Sequence, residues 1–269
     1  MLFKKKKCPN CENTYDEMLD FCPCCKSEND GLTSFRRYCK VTFLPFYTQL
    51  ILIGIALIGF LVANIMFSLI FNQIYQQDAV KGSMLINVCS YIIFFVAAVG
   101  VIFPYHKAFF IRFKSPWPFL IGLGGFFALI TGEFVINFIT SFIREPTTGG
   151  NQGAAESIIT AYPVIAIIVL GIIGPICEEL GYRVGLFSFL RRVHPALAYI
   201  ATALIFGFIH FDISNPDLVN ELLLFITYFW AGLCFSLVYE FGGISASITA
   251  HVINNLFSII MVLIQGSIA

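Results

Sequence analysis

The feature that most limits this chain is a series of long apolar stretches separated by short polar breaks. Seven can be delimited from Val41 onward, at 44–71, 84–104, 117–143, 159–186, 195–215, 221–240 and 244–265. A helix of about 20 apolar residues crosses the hydrocarbon core of a bilayer, where only helices or closed barrels satisfy their own backbone polar groups. The spacing therefore predicts an all-α fold, a polytopic membrane helical bundle of about seven transmembrane helices. Composition agrees, with 58% hydrophobic and 12% charged residues, against roughly 25% charged in an ordinary soluble domain. A soluble globular protein is excluded.

Charge fixes an expected orientation. The chain carries 16 basic and 16 acidic residues, so it offers no basic surface for nucleic acid. Their placement is uneven. Eight basic residues precede the first span, Lys107, Arg112 and Lys114 fall between the second and third, and Arg183, Arg191 and Arg192 lie toward the join of the fourth and fifth. All of these belong to one side of a seven-span bundle, and the other side holds only Lys81 and Arg144. The positive-inside rule then places the N-terminus in the cytoplasm and the C-terminus outside. Met1-Leu2-Phe3 and the lysines that follow lack the apolar run and cleavage site of a secretory signal, so the N-terminus is expected to remain in the mature protein.

Five of the nine cysteines lie between positions 8 and 25. Cys8-Pro9-Asn10-Cys11 and Cys22-Pro23-Cys24-Cys25 are two C-P-x-C turns, the signature of a zinc-ribbon. Two facing turns supply four thiolates in a tetrahedron, the closed arrangement of a structural zinc site, in which metal binding contributes much of the folding free energy. The expected ligands are Cys8, Cys11, Cys22 and Cys25, with Cys24 as an alternative fourth. Such clustering points to metal in a reducing compartment rather than to disulfides. The expected division is a zinc-ribbon over 1–30, a linker over 31–43, three transmembrane helices over 44–158 and a helical core over 159–265.

Ionisable groups inside membrane spans are costly and mark functional sites. Glu178-Glu179-Leu180-Gly181-Tyr182-Arg183 lies in span four, with Glu179 and Arg183 at the spacing of an intrahelical ion pair and Glu178 turned away from it. Phe206 and His210 lie in span five, and His251 and Asn255 share one face of span seven. Three polar clusters on three apolar helices are most economically brought together. Counting back from the turn near His194 puts Glu178 and His210 at a common depth of about 21 to 22 Å, and the site is expected in the cytoplasmic half of the membrane. Gly171, Gly174, Gly181 and Gly185 let span four approach its neighbours closely. Pro175 removes a backbone hydrogen bond just before Glu178 and can kink the helix toward water. Glu133 in span three is a further buried acid, a second partner for Arg183 being the one role suggested for it.

Glu178-Glu179-x-x-x-Arg183, Phe206-x-x-x-His210 and His251-x-x-x-Asn255, in this order on successive late spans, resemble the three motifs of the CPBP family of intramembrane proteases. That family includes CAAX prenyl endopeptidases and bacterial proteins linked to bacteriocin immunity and peptide processing. The resemblance covers residues 159–265 and implies an endopeptidase acting on a membrane-associated protein or peptide at the lipid boundary, in a bacterial plasma membrane. It implies Glu178 as the base that activates water, with His210 assisting. His251 and Asn255 would position that water or stabilise the oxyanion, and Glu179, Arg183 and Phe206 would support the site. A catalytic metal is left open, with metal-free glutamate chemistry preferred, because a catalytic zinc takes about three protein ligands and no H-E-x-x-H string occurs. Two other readings share these residues. One is a transporter in which they form an ion relay. The other is a non-catalytic scaffold that recruits a cytoplasmic partner through the zinc-ribbon.

Overall fold

The computed structural model describes residues 5–17, 19, 21–27, 38–144 and 147–268. Residues 31–37 of the expected linker lie outside the described residues. The N-terminal segment is a small hairpin in which β1 (Lys5–Lys7) pairs antiparallel with β2 (Thr14–Asp16), Lys6 facing Tyr15. The two cysteine turns have the same build. Cys8 N–H donates to Asn13 O and Glu12 N–H to Cys8 O, while Cys22 N–H donates to Ser27 O and Lys26 N–H to Cys22 O. The fifth residue of each turn, Glu12 or Lys26, takes a positive φ of 58° or 61°.

Among the described residues, five helices are long and apolar enough to cross a membrane: α1 (Phe46–Ile74), α2 (Ala79–Tyr105), α3 (Trp117–Ser141), α5 (Pro163–Arg191) and a last stretch, Leu218–Gly266. Between them lie α4 (Gly150–Ala161) and the apolar 15-residue α6 (Pro195–Ile209). The last stretch breaks at Gly243, whose φ of 75° and ψ of −173° are not helical, giving α7 (218–242) and α8 (244–268). The break needs glycine. A Cβ there would stand 2.8 Å from the Lys40 carbonyl, and the left-handed φ disfavours any other residue. The seven expected spans are thus α1, α2, α3, α5, α6, α7 and α8, and the chain is an integral membrane protein.

Two of the differences from the hydropathy reading have a local cause. Residues 159–161 belong to α4, because the residue before a proline avoids the α region and Tyr162, ahead of Pro163, sits at φ −135°, ψ 60°. The fifth span ends at Ile209 rather than 215, with His210 as its terminal residue. The apolar Phe211 and Ile213 prolong the hydropathic run past the point where the chain leaves the helix.

α5 is the central helix. Half of its apolar window is buried, against 17 to 22% in α1, α2 and α3. α1 lies against its C-terminal half, where a Cβ on Gly185 would be 3.2 Å from Leu52 Cβ. α3 packs on α7 and α8, and Trp230 Nε1 donates to Leu129 O at 3.2 Å. Outward faces carry large apolar side chains such as Leu69, Phe134 and Phe142, each about 70% exposed or more, as a lipid-facing surface requires. The cysteine hairpin is docked on the bundle. Phe21 packs on Tyr105 with centroids 5.4 Å apart, and Asp16 pairs with Arg192. Arg192 also donates to Gln49 Oε1 at 3.0 Å and Leu44 O at 2.8 Å. Arg192 is therefore buried under the hairpin.

Candidate active site

The geometry of α5 begins with its proline. Pro175 has no N–H to donate, and the turn ahead of it, Val169–Ile173, is widened to a π-helix in which Gly174 N–H bonds Val169 O. The carbonyl of Leu170 then has neither its α-helical donor, already used, nor a π-helical one, which would be Pro175. Asn255 on α8 fills that position, its Nδ2 donating to Leu170 O at 2.9 Å. A second π-helical segment, Glu179–Phe187, starts directly after Glu178. Such widened turns occur mostly at functional sites, and here they leave more backbone acceptors to be met by side chains. Ser188 Oγ donates to Arg183 O, and Gln49 Nε2 to Val184 O.

The two adjacent glutamates have different surroundings. Glu179 is wholly buried and is met by three partners: His251 Nδ1 at 2.9 Å from its Oε1, and Arg183 Nε at 3.3 Å together with Ser247 Oγ at its Oε2. Arg183, also fully buried, has its guanidinium over the rings of Phe206 and Phe235 at 5.3 and 5.7 Å. Glu178 takes a hydrogen bond from Tyr91 Oη at 2.9 Å on Oε1, and its Oε2 has no hydrogen-bonding partner. That oxygen lies 3.9 Å from His251 Nε2. Because a carboxylate only accepts, Glu179 assigns the proton to His251 Nδ1 and leaves Nε2 turned toward Glu178. Phe235 stacks on the His251 ring at 4.3 Å and fixes its plane.

His210 is held in a similar way. Its Nδ1 bonds the Phe206 carbonyl at 2.8 Å, and its ring stacks on Tyr228 with centroids 4.3 Å apart and 17° between the planes. Glu178, His210, His251, Asn255 and Phe206 all line one cavity of about 780 Å³. Glu179 and Arg183 lie behind its wall. Glu133 also lines the cavity and makes no salt bridge with Arg183, whose ion pair is to Glu179.

The cavity is closed toward the hairpin and open on the opposite side. Below Glu178 the bundle is filled by Arg183, Phe187, Ser188, Phe235 and Tyr239, all 1% exposed or less. Away from the hairpin the lining continues through Asn137 near the end of α3 to the exposed Asn151 and Gln152 on α4. The site is therefore reached from the face opposite the cysteines, a geometry the depth count did not anticipate. Tyr91, Ser247 and Tyr228 were also not among the sequence candidates. Ser247 could have been found, since it precedes His251 by one helical turn on the same face; nothing in an apolar helix marks Tyr91 or Tyr228.

The hairpin offers a second kind of site. Ligand atoms of Cys8, Cys11, Cys22 and Cys25 all lie within 4.8 Å of one another, with Cys8–Cys25 and Cys11–Cys22 sulfur separations of 3.6 Å. A tetrahedron with Zn–S bonds of about 2.3 Å has edges of about 3.8 Å, so the set fits a metal such as zinc. Cys24 is not part of the cluster, which settles the alternative left by the sequence. Hydrogen bonding to Ser27 Oγ, 3.3 Å away, draws the Cys8 thiol down to about 6, toward the thiolate a metal requires. Among the described residues this is the one group of His, Cys, Asp or Glu whose ligand atoms converge closely enough to hold a metal ion; Glu178, His210 and His251 do not converge in that way.

Comparison with known proteins gives the site a context. Residues 160–257, from the end of α4 into α8, match the family profile of type II CAAX prenyl endopeptidase Rce1-like proteins. An uncharacterised protein of Mycoplasma capricolum subsp. capricolum is 33% identical over 104 residues, 38% of this chain and 29% of that protein. UPF0177 protein YvdC of Lactococcus lactis subsp. lactis is 22% identical over 156 residues, 57% of this chain and 55% of that protein. These alignments span only part of each relative's length. No solved structure matches. The matched segment contains Glu178, His210, His251 and Asn255 together with the widened helix that carries Glu178, and residues 160–257 are similar to the Rce1-like CAAX prenyl endopeptidase family domain.

Proposed function

We propose that this protein is an intramembrane endopeptidase that hydrolyses a peptide bond of a membrane-associated protein or peptide, with Glu178 as the base. The observation that carries the reading is the contrast between the two acids. Glu179 is fully engaged by Arg183, His251 and Ser247, whereas Glu178 keeps one oxygen without a partner, beside His251 Nε2 and facing the cavity. In the mechanism, a water held between Glu178 Oε2 and His251 Nε2 gives a proton to Glu178 as its oxygen attacks the carbonyl carbon. Glu178 passes that proton to the leaving nitrogen as the C–N bond breaks. His210 assists from the same cavity. Asn255 acts chiefly by holding α5 in place, its remaining amide hydrogen free to approach the oxyanion.

The ribbon completes the proposal: its four cysteines hold a structural zinc on the cytoplasmic side, where it can meet a soluble partner. An ion relay is less well supported, because the cavity ends at the packed layer around Arg183 and Tyr239. The test is to express the full chain and its Glu178→Gln variant in the same host and compare peptides in membrane and medium. Fragments that appear with the wild-type chain and vanish with the variant, at equal folded protein, are expected. Identical peptide profiles would overturn the reading.

A further inference from the structure

Resting on that reading, we infer that the substrate is a peptide segment presented on the face opposite the cysteine hairpin and that Glu133 receives a basic residue of it. Three observations lead there. The cavity is blocked toward the hairpin by the fully buried Arg183, Phe187 and Tyr239, and opens past α4 on the other face. An extended chain can therefore reach Glu178 from that side.

The lining has the chemistry of a peptide groove. Asn64, Asn87, Asn137, Asn151, Gln152 and Asn254 contribute carboxamides, which can both donate to and accept from a peptide backbone. Asn254 Oδ1 is buried without a hydrogen bond. Such groups favour a segment that keeps its backbone polar groups unpaired, as an unwound or extended stretch does, over an intact helix.

Glu133 supplies the selectivity. It lies in the apolar α3, lines the cavity, and makes no hydrogen bond or ion pair with any described residue. No Lys or Arg is among the residues lining the cavity, while three carboxylates, Glu133, Glu156 and Glu178, are. Glu156 is met by Gln152 and Glu178 by Tyr91. An ionisable residue in a membrane helix normally has a partner, and here the partner is supplied by the ligand. A Lys or Arg side chain entering beside Glu133 relieves its unpaired position and orients the segment across Glu178.

The test uses the full chain in proteoliposomes, with an N-terminal tag reporting which face is outward, and fluorescence-quenched peptides carrying one Lys or one norleucine at each position in turn. Added peptide is expected to be cleaved by vesicles with the tag enclosed. At one position the Lys peptide should show kcat/KM about tenfold above its norleucine counterpart. Glu133→Gln should bring that ratio close to one, and Glu133→Lys should invert it in favour of a Glu peptide. Cleavage confined to tag-out vesicles, or a Lys preference unchanged in Glu133→Gln, overturns the inference. Fluorescently labelled peptides binding to the Glu178→Gln chain separate the two claims. A Glu133-dependent Lys preference in binding, with no cleavage by the wild type, sinks the protease reading and leaves this one standing. Neither cleavage nor a Lys preference in binding sinks this one as well.

Discussion

Asn255 on α8 donates a 2.9 Å hydrogen bond to the carbonyl of Leu170 on α5, one residue of the His251-x-x-x-Asn255 motif satisfying a backbone group of the helix that carries Glu178. The bond exists because a π-helical turn and Pro175 together deprive that carbonyl of a helical donor. Replacing Asn255 by Asp removes the donor and sets two acceptors against each other. Stability should fall by roughly 1–3 kcal/mol, read as a lower unfolding temperature in detergent. An Asn255→Asp chain as stable as the wild type would show that the bond does not hold α5.

The paired glutamates should separate stability from activity. Glu179→Ala leaves the wholly buried Arg183 without its carboxylate, a change costing roughly 3–5 kcal/mol, and the chain should lose folded yield and thermal stability. Glu178→Gln keeps the Tyr91 hydrogen bond within reach and should fold normally while losing cleavage. Thermal melts of the two variants beside the wild type check the order; a Glu178→Gln chain less stable than Glu179→Ala would reverse the assignment.

Tyr91 fixes the orientation of Glu178 through Oε1 and so leaves Oε2 for water. Tyr91→Phe removes one hydrogen bond to a charged group, worth roughly 1.5–3 kcal/mol. Part of that should appear as a drop of about tenfold or more in kcat with little change in KM, measured on any peptide the wild type cleaves.

The hairpin's metal and its docking can be read together. Purified chain should hold one zinc, lost in Cys11→Ser. Arg192→Ala removes the hydrogen bonds to Leu44 and Gln49 and the pair with Asp16, so hydrogen exchange should rise over residues 5–27 even with the metal present. Unchanged exchange there would mean that Arg192 does not tether the hairpin.

Among the described residues, Lys26, Lys40, Lys107, Arg112, Lys114, Arg191 and Arg192 fall at the hairpin's end of the spans and only Lys81 and Arg144 at the other, which predicts a cytoplasmic N-terminus and an external C-terminus. A C-terminal alkaline phosphatase fusion should be active and an N-terminal one inactive.

What could be read from the sequence follows from what a bilayer penalises. The spans were legible because hydrocarbon demands about 20 apolar residues, and Glu178, Arg183, His210 and His251 stood out because charge is rare there. α4 was not legible: Gly150–Ala161 is neither long nor apolar, and its role depends on Gly150 N–H bonding Glu221 on another helix. Tyr91 and Tyr228 were missed because a tyrosine in a membrane helix is unremarkable until its hydroxyl or ring is seen against Glu178 or His210. The widened turns of α5 depend on tertiary partners, Gln49, Ser188 and Asn255, and only Pro175 hinted at them.

The packed layer under Glu178 also has a bearing on the cell. The proposed hydrolysis needs water deep in the bundle, yet a continuous aqueous path would let protons leak down their electrochemical gradient. Because the well ends at Arg183, Phe187 and Tyr239, water can reach the carboxylate without crossing the barrier. The chain can therefore sit in an energised membrane, with its site hydrated, and leave the voltage intact.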